Sequence, residues 1–193
     1  MLSDCKKRIR KIRKLEGFSL GEVLLSVFIL ATALTTSVGL MAANLRYMIN
    51  SQDRVIATGL AQEGTELVMN IRDTNWEKGD EAFENGFPGN SGNNYTINYN
   101  SSNLTSGNRH LRLNNYDFYT HSGSTPTKFQ RKIIVSYYDS NGLSTNRAGA
   151  EEAEITSVVI WGNNFPVGSD INSGNCNISN KCVFSKMTLF KWK

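Results

Sequence analysis

The longest apolar stretch of the chain covers residues 23–43, where 21 residues follow one another without a charge. A helix of about 20 such residues crosses a hydrocarbon core of roughly 30 Å. A core helix of a soluble protein carries a polar stripe, whereas the polar side chains here are hydroxyls that can bond back to their own helix: Ser26, Thr32, Thr35, Thr36 and Ser37. The pattern therefore predicts a membrane-spanning helix.

Apolar residues continue at helical spacing over residues 44–72. On a helical wheel, six of them fall within about 80°: Leu45, Ile49, Ile56, Leu60, Leu67 and Ile71. The other side carries Arg54, Thr58, Gln62, Thr65 and Arg72. Because the first proline is Pro88, we predict one helix from residue 18 to 72, about 80 Å long. A break near Gly39 or Asn44 is the alternative, since glycine costs a helix about 1 kcal/mol relative to alanine.

Alternation of apolar and polar residues, which is typical of strands, dominates residues 128–193. The segment 128–139 alternates through Phe129, Arg131, Ile133, Val135 and Tyr137, and turn residues follow at 139–142. Further strand patterns cover residues 155–162 and 183–192. We predict the α+β class, with a long N-terminal membrane-spanning helix packed by its second half on a C-terminal antiparallel sheet.

The intervening residues 74–127 are dominated by Asn, Gly and Ser, with short alternations at 95–99 and 111–113. This composition predicts loops with small strands. Aromatic residues interrupt the polar sequence, namely Trp76, Phe83, Phe87, Tyr116, Phe118 and Tyr119. We expect them to attach this region to the sheet rather than to bind a ligand.

The charge of the chain is concentrated at its N-terminus. The whole sequence of 193 residues has a net charge of +4, while residues 1–17 alone carry +5 and the rest carry −1. A basic nucleic-acid-binding surface is therefore not expected, and no clear nucleic-acid site is present. Seven cations precede the apolar run and only Arg46 follows it closely. This asymmetry predicts that the N-terminus lies in the cytoplasm and that the residues beyond about 45, which form the head, lie outside.

A secretory signal peptide and a simple signal anchor are the two simple explanations of the basic start and the apolar run. A secretory signal peptide has a shorter apolar region, of about 7–15 residues, followed by a small-residue cleavage site. Here the candidate site at residues 31–33 lies in the middle of the run. A simple signal anchor remains open, although Glu22 is then a costly choice, worth about 2.5–3.5 kcal/mol at the bilayer centre and less near the interface.

The junction between the charged leader and the apolar run, residues 14–25, reads KLEGFSLGEVLL. Gly17, Phe18 and Glu22 in this arrangement resemble the class III signal of type IV prepilins and pseudopilins. The resemblance implies cleavage after Gly17 by the prepilin peptidase, methylation of the new amine of Phe18, and a role for Glu22 in assembly. Gly21 departs from the family pattern, in which a larger aliphatic residue is usual.

The resemblance continues more weakly to minor-pilin-like prepilins of the PilV kind, through residues 61–76 and the last strand. It implies a cleaved leader at residues 1–17, a filament-core helix at 18–43, an amphipathic half at 44–73, the loop region at 74–127 and the sheet at 128–193. The implied partners are other pilin subunits in a helix bundle, an assembly ATPase, a membrane platform protein and the lipid bilayer. Residues 77–127 have no counterpart in the resemblance.

A pairing of charges gives Glu22 a role in such a bundle. Once Phe18 is freed, its amine has a reference pKa of about 8 and is cationic at neutral pH. Glu22 of one subunit can pair with this amine of a neighbour as the helices pack. Because an unpaired charge in an apolar bundle is costly, the pair sets the axial register more than it adds net stability.

The three cysteines fall on both sides of the predicted membrane. Cys5 belongs to the leader and stays in a reducing compartment, while Cys176 and Cys182 lie outside, where we expect a disulfide. Two free thiols are the alternative if the compartment differs. His110 and His121 occur without HExxH, GxSxG or a phosphate-binding glycine loop, and no CxxC is present. No metal, cofactor or catalytic activity is expected.

Three classes of function are compatible with the sequence. The first is a structural filament subunit, which Glu22 beside Gly17 and Phe18 favours because a plain anchor needs none of these residues. The second is a membrane-anchored binding or adhesion module that does not polymerise. The third is an anchored extracytoplasmic enzyme. The sequence does not distinguish pilus, secretion and competence systems, nor a major from a minor subunit.

Overall fold

The computed structural model describes residues 17, 19–79, 85–107, 109–162, 174–177 and 179–191. The predictions on the leader residues 1–16, on Phe18, on Phe83 and on the last two residues lie outside this set. The chain forms two compact units, Met1–Met48 and Ile49–Lys193. One long helix contributes its first part to the first unit and its second part to the second.

This helix, α1, runs without interruption over Leu20–Glu77, 58 residues. The prediction of one long helix is confirmed, and the alternative break near Gly39 or Asn44 is wrong. The helix continues five residues beyond the predicted end at 72. It ends before Gly79, whose φ of +81° and N–H bond to the Trp76 carbonyl (3.0 Å) close the last turn as a left-handed cap.

The strands of the second unit form one antiparallel sheet. In chain order they are β1 (Gly92–Thr96), β2 (Thr105–Ser106), β3 (His110–Leu113), β4 (Tyr119–Thr120), β5 (Thr125–Tyr138), β6 (Ser144–Thr145), β7 (Glu152–Trp161) and β8 (Cys182–Phe190). A 3₁₀ turn, Arg147–Gly149, precedes β7. The predicted C-terminal strands correspond to β5, β7 and β8, so the antiparallel sheet is confirmed.

The long strand β5 organises the sheet. One edge of β5 pairs with β7, and β7 pairs with β8. The other edge pairs with β1, β3 and β6, while β2 and β4 extend β1 and β3 outward. The Asn/Gly/Ser-rich region therefore supplies four strands and the first residues of β5 to the same sheet.

The core of the second unit lies between α1 and one face of the sheet. One cluster contains Val68, Ile71, Phe87, Ile97, Leu104, Ile133, Val135, Tyr137, Ala150, Ala153, Ile155 and Leu189. A second contains Ala57, Leu60, Ala61, Leu111, Phe129, Val159 and Trp161. The inward alternation predicted for β5 is observed, since Phe129, Arg131, Ile133, Val135 and Tyr137 are all buried.

The buried face of α1 differs from the predicted stripe. Leu60 and Ile71 are buried as expected, but Leu45 and Ile49 are exposed, and Thr65 is buried although it was placed on the polar side. Small side chains lie in the middle of the buried face, at Ala57, Ala61, Gly64 and Thr65. The full set of buried positions is Asp53, Ala57, Leu60, Ala61, Gly64, Thr65, Val68, Ile71 and Asn75. Small residues let the helix axis approach the sheet closely, so the closest contact with the sheet is made through them and not through larger apolar residues.

Gly64 marks the closest approach. A Cβ atom at this position would overlap with Oγ of Ser157 and would lie 3.0 Å from its Cβ and 3.1 Å from Cδ of Arg131. One residue later, Thr65 Oγ1 and Ser185 Oγ are 3.2 Å apart. Serines on β7 and β8 thus face the helix where it comes nearest to the sheet.

Arg131 connects three parts of the head from a fully buried position on β5. Its Nη1 donates to the Leu60 carbonyl (3.2 Å) and its Nη2 to the Ile97 carbonyl (2.9 Å). Nη1 also lies 3.2 Å from Glu63 Oε1 on α1. Burial lowers the pKa of Arg131, and the nearby Glu63 carboxylate opposes this shift. A second ion pair between helix and sheet joins Lys128 Nζ to Asp53 Oδ1 at 2.5 Å.

Candidate processing and assembly site

The start of α1 holds the residues that carry the prepilin resemblance. Ser19 precedes the helix, and its carbonyl accepts hydrogen bonds from the N–H groups of Glu22 (2.9 Å) and Val23 (3.2 Å). Gly17 lies just before it and is exposed, while Phe18 falls outside the described residues. Cleavage after Gly17 would therefore leave only Phe18 and Ser19 ahead of the helix.

Neither glycine of this segment is required by the packing of the described chain. A Cβ atom at Gly17 meets no described atom within 4 Å, and one at Gly21 meets only Ser19 Oγ, at 3.8 Å. Neither residue has a backbone conformation that demands glycine. A requirement for glycine at position 17 would thus come from an external protein, such as a peptidase, and not from the fold.

Glu22 lies in the first turn of α1 and is exposed. A carboxylate at this position is favoured by the positive end of the helix dipole, typically by 0.3–1 kcal/mol. Its backbone carbonyl accepts a hydrogen bond from Ser26 Oγ (2.7 Å). Among the described residues, the ion pairs all lie further along the chain, and Glu22 takes part in none of them. Its carboxylate therefore remains available to a partner.

The surface of α1 from residue 20 to 52 is exposed on all sides. Its most apolar window has a mean hydropathy of 2.1, so by length and composition this helix can cross a membrane. Its hydroxyl groups bond to backbone carbonyls three or four residues earlier, as with Thr32 to Phe28 (3.1 Å) and Ser37 to Ala33 (2.7 Å). Because these groups are satisfied within the helix, the surface offered to the surroundings is apolar.

The cysteine pair lies at the opposite end of the chain. A disulfide joins Cys176 to Cys182, the first residue of β8, with the Cα atoms 5.2 Å apart. The buried Cys182 packs with Val158 on the sheet face that points away from α1. A backbone hydrogen bond from the Cys182 N–H to the Asn177 carbonyl (3.1 Å) reinforces the closed loop. The bridge therefore fixes the segment that leads into the last strand.

Replacing Cys176 and Cys182 together by serine is expected to lower the free energy of unfolding of the head by about 2–3 kcal/mol, because the bridge restricts the unfolded loop. Urea unfolding of the full chain, followed by tryptophan fluorescence, measures this loss. Peptide mapping without reductant is the companion measurement. Two free thiols in the membrane-extracted protein would contradict the assigned bridge.

Three aromatic residues of the polar region are not used to attach it to the sheet. Phe87 is buried and Tyr119 packs edge-on against Phe129, with ring centroids 5.9 Å apart, as expected. In contrast, the exposed fraction is 64% for Trp76, 79% for Tyr116 and 57% for Phe118. The expectation of attachment is wrong for these three. The turn-forming residues on both sides of Tyr116 and Phe118 were the available sequence signal for a protruding loop.

The predicted site residues that the structure describes therefore lie in two separate parts of the chain. Gly17 and Glu22 lie at the start of an exposed apolar helix, and the disulfide lies at the start of the last strand. Within the part of the chain that the structure describes, no group of three or more metal-ligating side chains comes together. Comparison with family models, with curated proteins and with solved structures found no match to this chain.

Proposed function

We propose that this chain is a structural subunit, of the minor-pilin or pseudopilin kind, of a type IV pilus or a related secretion or competence filament. The observation that carries the proposal is the start of α1, where Glu22 is the one charged residue among the described residues 17–45. The carboxylate is exposed at the end of a helix whose apolar surface has no cover within its own unit. Such a helix requires lipid or other helices around it.

Cleavage after Gly17 would create a positively charged amine that can pair with Glu22. The new amine of Phe18 lies four residues before Glu22, so the two charges of a subunit are separated by about one helical turn. In a bundle, the amine of an incoming subunit pairs with Glu22 of the subunit already in place. The head stays outside the cytoplasmic membrane before assembly and on the filament afterwards. The prepilin peptidase, the assembly ATPase and the membrane platform protein are the expected partners.

A second candidate is a membrane-anchored extracytoplasmic binding or adhesion module that does not polymerise. The exposed rings of Tyr116 and Phe118 favour it, since an apolar surface on a loop is consistent with recognition of a ligand. The two candidates differ in one respect. A filament subunit needs Gly17 and Glu22, whereas an anchor of the same length and hydropathy needs neither.

Gly17→Val is expected to keep the leader attached, because the peptidase implied by the resemblance cuts after glycine and valine is bulkier. Intact-mass measurement of the membrane-extracted protein tests this. The native chain should lack residues 1–17 and carry one added methyl group, while the variant should retain the leader and remain unmethylated.

Gly21→Ala is the matched control, since a Cβ atom at Gly21 makes only an ordinary contact with Ser19 Oγ at 3.8 Å. This variant should be processed like the native chain. Normal cleavage of Gly17→Val would refute the prepilin assignment and leave a simple anchor as the better explanation of the helix.

A further inference from the structure

The loop Asn114–Phe118 joins β3 to β4 and has a tightly specified geometry. Asn114 Oδ1 accepts hydrogen bonds from the N–H groups of Tyr116 (2.9 Å) and Phe118 (3.0 Å). The Asp117 N–H bonds to the Asn114 carbonyl (3.1 Å), and Asp117 takes a φ of +60°. A residue other than glycine in this region stores backbone strain. The loop therefore has one defined conformation, and holding that conformation costs free energy.

A second loop in the same sheet has the same geometry without aromatic residues. Between β5 and β6, Asp139 Oδ1 accepts hydrogen bonds from Asn141 N (2.9 Å) and Leu143 N (2.9 Å). Gly142 occupies the left-handed position there, with a φ of +74°. Because one turn is built with Asn and Leu where the other has Tyr116 and Phe118, the turn itself does not require the rings.

Tyr99 extends the aromatic surface from a neighbouring turn. The preceding Asn98 holds this turn against β4, because its Oδ1 accepts hydrogen bonds from Thr120 Oγ1 (2.9 Å) and His121 N (2.7 Å). The rings of Tyr99 and Phe118 lie 5.5 Å apart between centroids, with planes tilted by 36°. Tyr99 is 48% exposed and Phe118 57% exposed, so about half of each ring is open to solvent.

The segments that carry these rings have no net charge. On the hairpin formed by β3 and β4, Arg112 and Asp117 carry opposite charges, and the turn at Tyr99 carries none. Exposed uncharged amides occur next to the rings in the sequence, at Asn100 and Asn115. A single-stranded nucleic acid would require a positively charged groove along its backbone, which this surface lacks among the described residues.

We propose that Tyr99, Tyr116 and Phe118 form an aromatic platform that binds a ring of an uncharged oligosaccharide. The apolar C–H face of a pyranose can stack on the negatively polarised face of an aromatic ring. Neighbouring amides can then donate to and accept from the sugar hydroxyls. The prior ordering of both turns lowers the entropic cost of binding.

The size of the platform favours a sugar over a protein partner. A stable protein interface uses about 20–30 residues on each side, whereas the platform has three rings on two short turns. One or two sugar rings match that extent. The inference concerns the head alone and does not depend on whether the chain polymerises.

An oligosaccharide array tests the platform. The full chain is placed in nanodiscs of phosphatidylglycerol and phosphatidylethanolamine, because glycosidic detergents would compete. The array carries neutral oligosaccharides of hexose, deoxyhexose and N-acetylhexosamine units. The native chain should bind at least one class, and the double variant Tyr116→Ser with Phe118→Ser should bind it at least tenfold more weakly. Leu143→Ser, at 64% exposure in the matching loop, should bind like the native chain.

Three outcomes would overturn the proposal. They are absence of native binding across the array, equal binding by the double variant, and an equal loss of binding in Leu143→Ser. If single-stranded DNA displaced the bound sugar and salt abolished the binding, the surface would be an electrostatic one and the aromatic platform would be refuted. The single variant Tyr116→Ser controls for misfolding. Because Tyr116 is 79% exposed, the urea unfolding of this variant should match that of the native chain.

Discussion

Gly64→Ala is expected to destabilise the head by about 2–3 kcal/mol, although alanine is the better helix former by about 1 kcal/mol. The added Cβ atom would overlap with Oγ of Ser157 and press on Cδ of Arg131 at 3.1 Å. Rotation of Ser157 can move its Oγ atom aside, but its Cβ atom, at 3.0 Å, is placed by the backbone of β7. Arg131 is held by its bonds to two carbonyls, so its Cδ atom cannot withdraw at low cost. The helix would have to withdraw from the sheet.

The same substitution at Gly59 is the matched control. A Cβ atom at Gly59 meets no described atom within 4 Å, so Gly59→Ala should stabilise the head by up to about 1 kcal/mol. Urea unfolding of the full chain, followed by tryptophan fluorescence, measures both variants, since Trp161 is buried in the helix–sheet core. Stabilisation at both positions would show that α1 does not approach the sheet as closely as described.

Glu22→Gln is expected to leave cleavage, membrane insertion and the head intact while sharply reducing incorporation into filaments. Loss of the carboxylate would leave the amine of the incoming subunit buried without a counter-charge, at a cost of about 3–5 kcal/mol for each contact. Withdrawal of the apolar helix from lipid must be compensated during assembly, so an added penalty of this size should prevent it. The measurement is the fraction of protein in sheared filaments relative to membranes, in cells that express the partner subunits.

Glu66→Gln serves as the control, because Glu66 is an exposed carboxylate on the same helix but within the head segment. It should assemble like the native chain. If Glu22→Gln partitions as the native chain does, the anchored binding module becomes the better account. A plain anchor predicts improved membrane insertion for this variant, since a charge is removed from the edge of the span.

The extent of α1 could be predicted because its causes are local. A charge-free run, helical spacing and the absence of proline before Pro88 are all visible in the sequence. The end was placed too early, since the glycine that closes the helix, Gly79, acts by its backbone conformation and not by interrupting the pattern. Inward alternation in β5 was equally local, and it placed Arg131 on the buried face.

The buried face of the helix could not be found in the same way. A helical wheel weights large apolar side chains, whereas the actual contact depends on Gly64 opposite Ser157, two residues far apart in the chain. The partners of Arg131, at Leu60 and Ile97, are equally remote in sequence. For the candidate site, the motif located Gly17 and Glu22, but the exposure of Tyr116 depends on how its loop projects from the sheet.

The self-bonded hydroxyls of the span bear on how partners would be selected. Ser26, Thr32 and Ser37 direct their hydrogens to carbonyls of their own helix, so a neighbouring helix meets no free hydroxyl donor at these positions and contacts mainly apolar groups. Dispersion contacts of this kind reward close fit but discriminate poorly between one aliphatic helix and another. In the proposed filament, different subunits could therefore share a common bundle through their spans. Choice among neighbours would then rest with the heads.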